Sequence, residues 1–130
     1  MAKRKAILLA IKAKLETLTG FEPVFYWHDF ATEYEKDVIE FRDLEERSQQ
    51  VNIPFSQDLM VRVKVTKFTE DTLEVGEDTL DDLKALFADE LWGGNAHKTS
   101  LTSSRKIVKT SGKKSVTVEM YLSISYREDL

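Results

Sequence analysis

Val116, Val118, Met120, Leu122, Ile124 and Tyr126 alternate with Thr117, Glu119, Tyr121, Ser123 and Ser125. A period of two sustained this long is incompatible with a helix and defines a half-buried strand. At ~3.3 Å per residue the run extends about 36 Å. That matches the diameter of a compact domain of this length, whose radius of gyration is about 14 Å. The strand therefore crosses the whole domain. Ser111-Gly112 supplies a turn before it, and the polar stretch Lys98–Lys109 has the poor apolar alternation of an edge strand. The two form a long C-terminal hairpin that can project beyond the core.

A second run has the same period. Leu59, Val61, Val63 and Val65 alternate with Met60, Arg62, Lys64 and Thr66, giving a strand over Gln57–Phe68. Phe68 continues the outward-facing set, so its burial would need a separate cause. Glu22–His28, with Pro23 at its start, has the valine and aromatic content of a short strand, and Asp29–Lys36 that of a loop. Asp37–Arg47 fits both periods. Tyr34, Val38, Phe41 and Leu44 make a helical stripe, while Val38-Ile39-Glu40-Phe41 also fits a strand. Strand is the preferred assignment.

Two helices complete the pattern. Ile7, Leu8, Ile11, Leu15 and Leu18 form one stripe over Lys3–Leu18, with Gly20 and Pro23 as the stop. Leu80, Leu83, Phe87 and Leu91 form another over Glu77–Leu91. Thr79 and Asp82 make a weak capping box for it, and Gly93-Gly94 end it. The element order is α-β-β-β-α-β-β. It predicts one α+β sandwich over residues 1–130, a mostly antiparallel sheet with two helices packed on one face. The other face is polar and free to meet solvent or a partner.

The chain has no cysteine, which removes disulfides, thiolate metal sites and cysteine nucleophiles together. Hydrophobic residues at 42% and charged residues at 32% suit a globular domain that folds without a metal. No apolar run approaches the ~18 residues of a membrane span, and the basic start is followed by no cleavage site, so the expected compartment is the cytoplasm.

Charge is sorted into blocks. Residues 1–14 hold five bases and no acid, and residues 29–50 hold eight acids against three bases. Residues 70–90 hold nine acids against Lys84 alone, and residues 97–114 hold six bases and no acid. The net charge of −4 is a near-cancellation of these blocks. Such sorting suggests a bipolar surface.

Chemical signatures are sparse. His28 and His97 have no metal-ligand spacing, and the plain reading of each is a loop or strand-end residue. The acids around Asp37–Glu46, Asp81-Asp82 and Asp89-Glu90 have no cation-loop pattern and fit solvated faces. Neither GxSxG nor SxxK surrounds the serines, and neither GxxxxGK nor GxGxxG occurs. Lys98–Lys114 could track phosphates, but it lacks interleaved aromatics, and the acidic remainder would repel a nucleic acid. No catalytic residue, cofactor or metal is expected.

Three stretches resemble the phage tail-terminator proteins, the minor tail protein U type. The first runs from Ile7-Leu8-Leu9-Ala10-Ile11 to Leu18-Thr19-Gly20-Phe21. The second joins Asp37-Val38-Ile39-Glu40-Phe41-Arg42-Asp43-Leu44-Glu45-Glu46 to Leu59-Met60-Val61-Arg62-Val63-Lys64-Val65. The third runs from Thr79-Leu80 through Leu91-Trp92-Gly93-Gly94-Asn95-Ala96 to the strand ending Ile124-Ser125-Tyr126-Arg127. The helix, WGG and hairpin succession is the most specific part. The resemblance places Asp37–Arg47 in a strand; the connection from Glu46 to Phe55, with Pro54 and no hairpin turn, departs from the pattern.

The resemblance implies a non-enzymatic phage or prophage structural protein. Such a protein caps the tail tube as a hexameric ring, ends tail elongation and offers the head-joining surface. The implied partners are further copies of itself, the tail-tube protein and the head-tail connector, with no membrane and no nucleic acid except DNA passing through the ring lumen. The implied location is the virion tail, and the host cytoplasm during assembly. A neck or tail-completion protein of related fold is the alternative, and a small nucleic-acid-binding module is another. The expected contact residues are Asp43, Glu45 and Glu46 on the acidic side and Lys106, Lys109, Lys113 and Lys114 on the basic side. Trp92 is expected to be an aromatic plug.

Overall fold

The two alternating runs lie side by side at the middle of one sheet. The computed structural model describes residues 3–18, 24–26, 37–49, 55–88, 90 and 92–128. Its elements are α1 (Lys3–Leu15), β1 (Val24–Tyr26), β2 (Val38–Gln49), β3 (Phe55–Phe68), α2 (Thr72–Phe87), a 3-10 turn (Trp92–Gly94), β4 (Lys98–Lys109) and β5 (Ser115–Glu128). The strand order is β1-β2-β3-β5-β4. β1 runs parallel to β2, and all other pairings are antiparallel. The architecture is α+β, and the segment that fitted both periods is a strand. Gly20, Pro23, His28, the loop over 29–36, Pro54, Asp89 and Leu91 lie outside the described residues.

β3 pairs with β5 from Phe55 opposite Glu128 to Phe68 opposite Ser115. β5 is thus bracketed by β3 and β4 along its length, and the hairpin does not project as an arm. Only its turn extends past the sheet, because β3 is as long as β5. Leu59, Val61, Val63 and Val65 lie opposite Ile124, Leu122, Met120 and Val118, and all eight are buried. Ile7, Ile11 and Leu15 of α1 and Leu83 and Phe87 of α2 close over this apolar face. α2 approaches closely at Gly76, where a Cβ would sit 3.1 Å from Val116 Cγ2 and 3.2 Å from Lys106 Cδ.

α2 starts five residues before the expected Glu77. Asp71 is the cap: its carboxylate accepts from the Glu74 amide at 3.1 Å. Thr79 caps nothing; its hydroxyl donates to the Val75 carbonyl at 2.7 Å inside the helix. The acids of the first turns favour a helix start there through the dipole. Repulsion is the other side of that crowding. The hydrogen bond to Asp71, and then the charges of Asp71 and Asp78, push the Glu74 carboxyl above its ordinary value. Asp71→Ala is expected to cost about 1 kcal/mol, since an N-cap acceptor is lost. The check is a lower urea midpoint with an unchanged slope.

The two helices end differently. α1 gives way after Leu15 to i→i−3 bonds, Thr17 N–H to Lys14 and Leu18 N–H to Leu15, each 3.1 Å. α2 stops at Phe87, before the glycines expected to end it. Gly93 and Gly94, at φ +68° and +84°, instead build the turn that seats Trp92. Trp92 fills the core as a plug, 2% exposed and with its ring 5.7 Å from that of Phe87.

Candidate interaction surfaces

The acidic candidates and two of the four basic ones lie on strands separated by two others. Asp43, Glu45 and Glu46 are on β2, and Lys106 and Lys109 are on β4, with β3 and β5 between. At ~4.8 Å per strand step, the two strands are about 14 Å apart.

A β-bulge decides how the acids point. The β2–β3 register shifts between Asp43, opposite Val61, and Glu45, opposite Met60, leaving Leu44 as the extra residue. In a regular strand Asp43 and Glu46 would point to opposite faces. After the bulge, Glu46 lies opposite Leu59 and joins Asp43 on the helix-covered side. Arg4 of α1 bridges them there, donating from Nη2 to Asp43 Oδ2 and from Nη1 to Glu46 Oε2. Tyr126 donates its hydroxyl to the other oxygen, Glu46 Oε1, at 2.6 Å. Burial opposes the Arg4 charge, but the Asp43 hydrogen bond and the Glu46 charge outweigh it and raise the guanidinium above its usual value. Asp43 and Glu46 therefore anchor α1 to the sheet within the subunit. Glu45 faces the open side, 55% exposed, and accepts from Arg47 Nε at 3.0 Å.

On the basic side, Lys106 points under α2 and donates to Glu77 Oε1. Lys109 is exposed at the end of β4. Lys113 sits in the turn with its Nζ 5.0 Å from the Phe68 ring centre, which gives that outward-facing aromatic its cover. The Lys114 carbonyl accepts from the Thr69 amide at 3.0 Å, tying the turn to the end of β3. β4 pairs with β5 alone among the described residues, and all its residues but Thr99 and Ser100 are exposed. They include Leu101, Ile107 and Val108, at 39%, 43% and 49%.

The helix-free face holds a cluster that sequence reasoning missed. Glu119 faces outward by its period, yet its side chain is 2% exposed. It accepts from Arg62 Nη2 at 2.6 Å, Arg105 Nε at 2.8 Å and the Tyr121 hydroxyl at 3.3 Å. Arg62 also lies 5.9 Å from the centre of the Tyr121 ring. Burial pushes the Glu119 carboxyl up, but the hydrogen bonds from Arg105 and Arg62 outweigh it and hold it below the usual carboxylate range. The register explains the gathering: Lys64, Glu119 and Arg105 stand side by side across β3, β5 and β4. A lone acid in a strand carries no such signal; Arg105 reaches it across the hairpin, and Arg62 comes from β3, 57 residues away in sequence.

His97 is exposed, and its backbone amide donates to Ser125 at 2.9 Å, continuing the β4–β5 ladder. Among the described residues no group of three or more His, Asp or Glu side chains could hold a metal ion. No described helix is long and apolar enough to cross a membrane. Comparison of the chain with protein-family models and with curated proteins gives no match.

Proposed function

We propose that this chain is a non-enzymatic structural subunit of the phage tail-terminator type, which closes a tail tube as a ring and offers the surface that a head connector joins. The observation that supports this reading best is the placement of acidic Glu45 on β2 and basic Lys109 on β4, with β3 and β5 between them. Opposite charges on two separate surfaces of one subunit favour a head-to-tail contact, and such a contact closes into a ring when the rotation allows. Charge complementarity sets encounter rate and register more than affinity. The partners on this reading are further copies of the chain, the tail-tube protein and the connector.

The test is sedimentation across protein concentration and ionic strength, with and without added tail tubes. The expected species is a ring, or a monomer that joins tubes. Lys113→Glu with Lys114→Glu is expected to weaken assembly and leave the fold intact. The cation–π contact of Lys113 with Phe68, lost in this variant, is worth about 0.5–1 kcal/mol at an exposed site, while the Lys114 backbone bond survives. Unchanged sedimentation together with unchanged tail length would sink the assignment of this turn. Retention on DNA with a steep salt dependence would favour the nucleic-acid reading instead.

A further inference from the structure

We propose that the helix layer is a self-complementary surface, on which α1 of one chain lies against α2 of a second copy of this chain, and α2 against α1, across a twofold axis. This goes beyond the ring reading, whose contact candidates lie on the strands and the turn. Both helices close over the same apolar face of the sheet, so their outer sides look the same way. α1 turns Ile7, Ile11 and Leu15 inward, and helical spacing leaves Lys5, Leu9 and Lys12 exposed on the opposite side. α2 turns Gly76, Thr79, Leu83 and Phe87 inward and leaves Glu74, Asp78 and Asp81 exposed. Two of the charge blocks of the sequence are thus the outer sides of two helices in one layer.

Charge, availability and spacing argue for this occupant. α1 carries five bases and no acid, and α2 carries five acids against Lys84; Glu16, just past α1, is the first acid on its outer side. Arg4, Lys14 and Glu77 are spent within the subunit, on Asp43 and Glu46, on Glu90 and on Lys106. Lys5, Lys12, Asp78 and Asp81 enter no hydrogen bond or ion pair among the described residues. Lys5 and Lys12 are seven residues apart, and so are Glu74 and Asp81. At ~1.5 Å per residue both steps are about 10.5 Å, so two cation–carboxylate pairs can close together. Glu74 is already crowded by Asp71 and Asp78, and cations laid opposite relieve that repulsion. Pairing α2 with α2 would add to it. In an isologous contact each pairing occurs twice, which doubles the number of ion pairs. Leu9, 49% exposed between the two lysines, gains cover. Exposed pairs are individually weak and are screened by salt, so the dimer is expected to be salt-sensitive.

The test is sedimentation of charge-reversed chains at low ionic strength. One variant carries Lys5→Glu with Lys12→Glu, the other Asp78→Lys with Asp81→Lys; all four positions are exposed. The natural chain is expected to form a dimer that dissociates as salt rises. Each variant alone sets like charges together in both halves of the contact, and its dimer dissociation constant is expected to rise about tenfold or more. Mixing the two variants restores opposite charges in both halves, so heterodimers are expected, and a chain carrying all four substitutions is expected to dimerise again. A natural chain that stays monomeric at low salt, variants that sediment like it, or a mixture with no more dimer than its components overturns the pairing. Unchanged self-association with loss of binding to tail tubes assigns the layer to the tube protein and also overturns it. The ring reading is judged apart from this, by the Lys113→Glu and Lys114→Glu variant, whose positions lie outside both helices.

Discussion

Truncation of Trp92 to alanine is expected to lower the unfolding free energy by about 3–5 kcal/mol, the range for removing a buried large aromatic. That is a large share of the roughly 5–15 kcal/mol that holds a domain folded. The indole does more than fill space. Its Nε1–H donates to Thr99 Oγ1 at 2.9 Å, and that hydroxyl donates to the Glu90 carbonyl at 2.6 Å. The Trp92 amide donates to Glu90 Oε1 at 3.0 Å, and Lys14 of α1 donates to Glu90 Oε2 at 2.9 Å. Glu90 thus joins the end of α1 to the Trp92 turn and the start of β4, and the indole closes that network through Thr99. Trp92→Phe keeps much of the ring packing and loses the Thr99 bond, so a smaller loss is expected, with about 1 kcal/mol from the bond. Trp92 also sits at φ +53°. Trp92→Gly relieves backbone strain worth roughly 1–2 kcal/mol and is expected to be no less stable than Trp92→Ala. Urea unfolding followed by far-UV circular dichroism checks the order, since Trp92 is itself a fluorophore. A loss below about 1 kcal/mol for Trp92→Ala would show that the core collapses onto the site.

Glu119→Ala is the second large effect. Removing one partner of a buried ion pair costs about 3–5 kcal/mol. The Arg62 and Arg105 side chains keep 21% and 59% of their exposure, so solvent relieves part of this. The expected loss is about 2–3 kcal/mol. Glu119→Gln keeps the shape and removes the charge, which isolates the pH dependence. The folded-state carboxyl titrates below its unfolded value because the hydrogen bonds from Arg105 and Arg62 outweigh the opposing effect of burial. Between the two values the unfolded chain binds more protons, so stability rises with pH. The contribution is complete above the ordinary carboxylate value of about 4.3 and is lost as pH falls through the lower folded value. The stability gap between the natural chain and Glu119→Gln is therefore widest near neutrality and shrinks on acidification. A gap that stays constant from pH 7 to about pH 3 would show that shape, not charge, makes the difference.

Much of this fold was legible because two strands carry their burial pattern in their period. Leu59–Val65 and Val116–Tyr126 each alternate over enough residues to exclude a helix, and they pair with each other. The unmarked edge strand was legible by contrast, since Lys98–Lys109 lacks an apolar face. α2 was misplaced at its start because its acids resemble a solvated loop, while the cap that launches it is the single side chain of Asp71. The candidate surfaces were legible only as charge. Nothing in the spacing of Asp43 and Glu46 announces the bulge at Leu44, because a bulge is a property of two strands and not of one. Arg4 and Tyr126 reach Glu46 across 42 and 80 residues of chain, and a local pattern has no means of recording such partners.

The position of β5 bears on how the chain is made. β5 follows β4 in the sequence but lies between β3 and β4 in the sheet. During synthesis β3 leaves the ribosome with one side unmatched, and it stays so while α2, β4 and the turn emerge. Leu59, Val61, Val63 and Val65 have no opposing row until Val118–Ile124 arrives. Completion of the sheet is thus a late and long-range event. Its rate is governed by loop closure across the whole of α2 and β4, as expected for a topology of high contact order. In that interval the nascent chain shows an apolar strand margin to every neighbouring copy, and its yield in the cell is expected to depend on how quickly β5 follows.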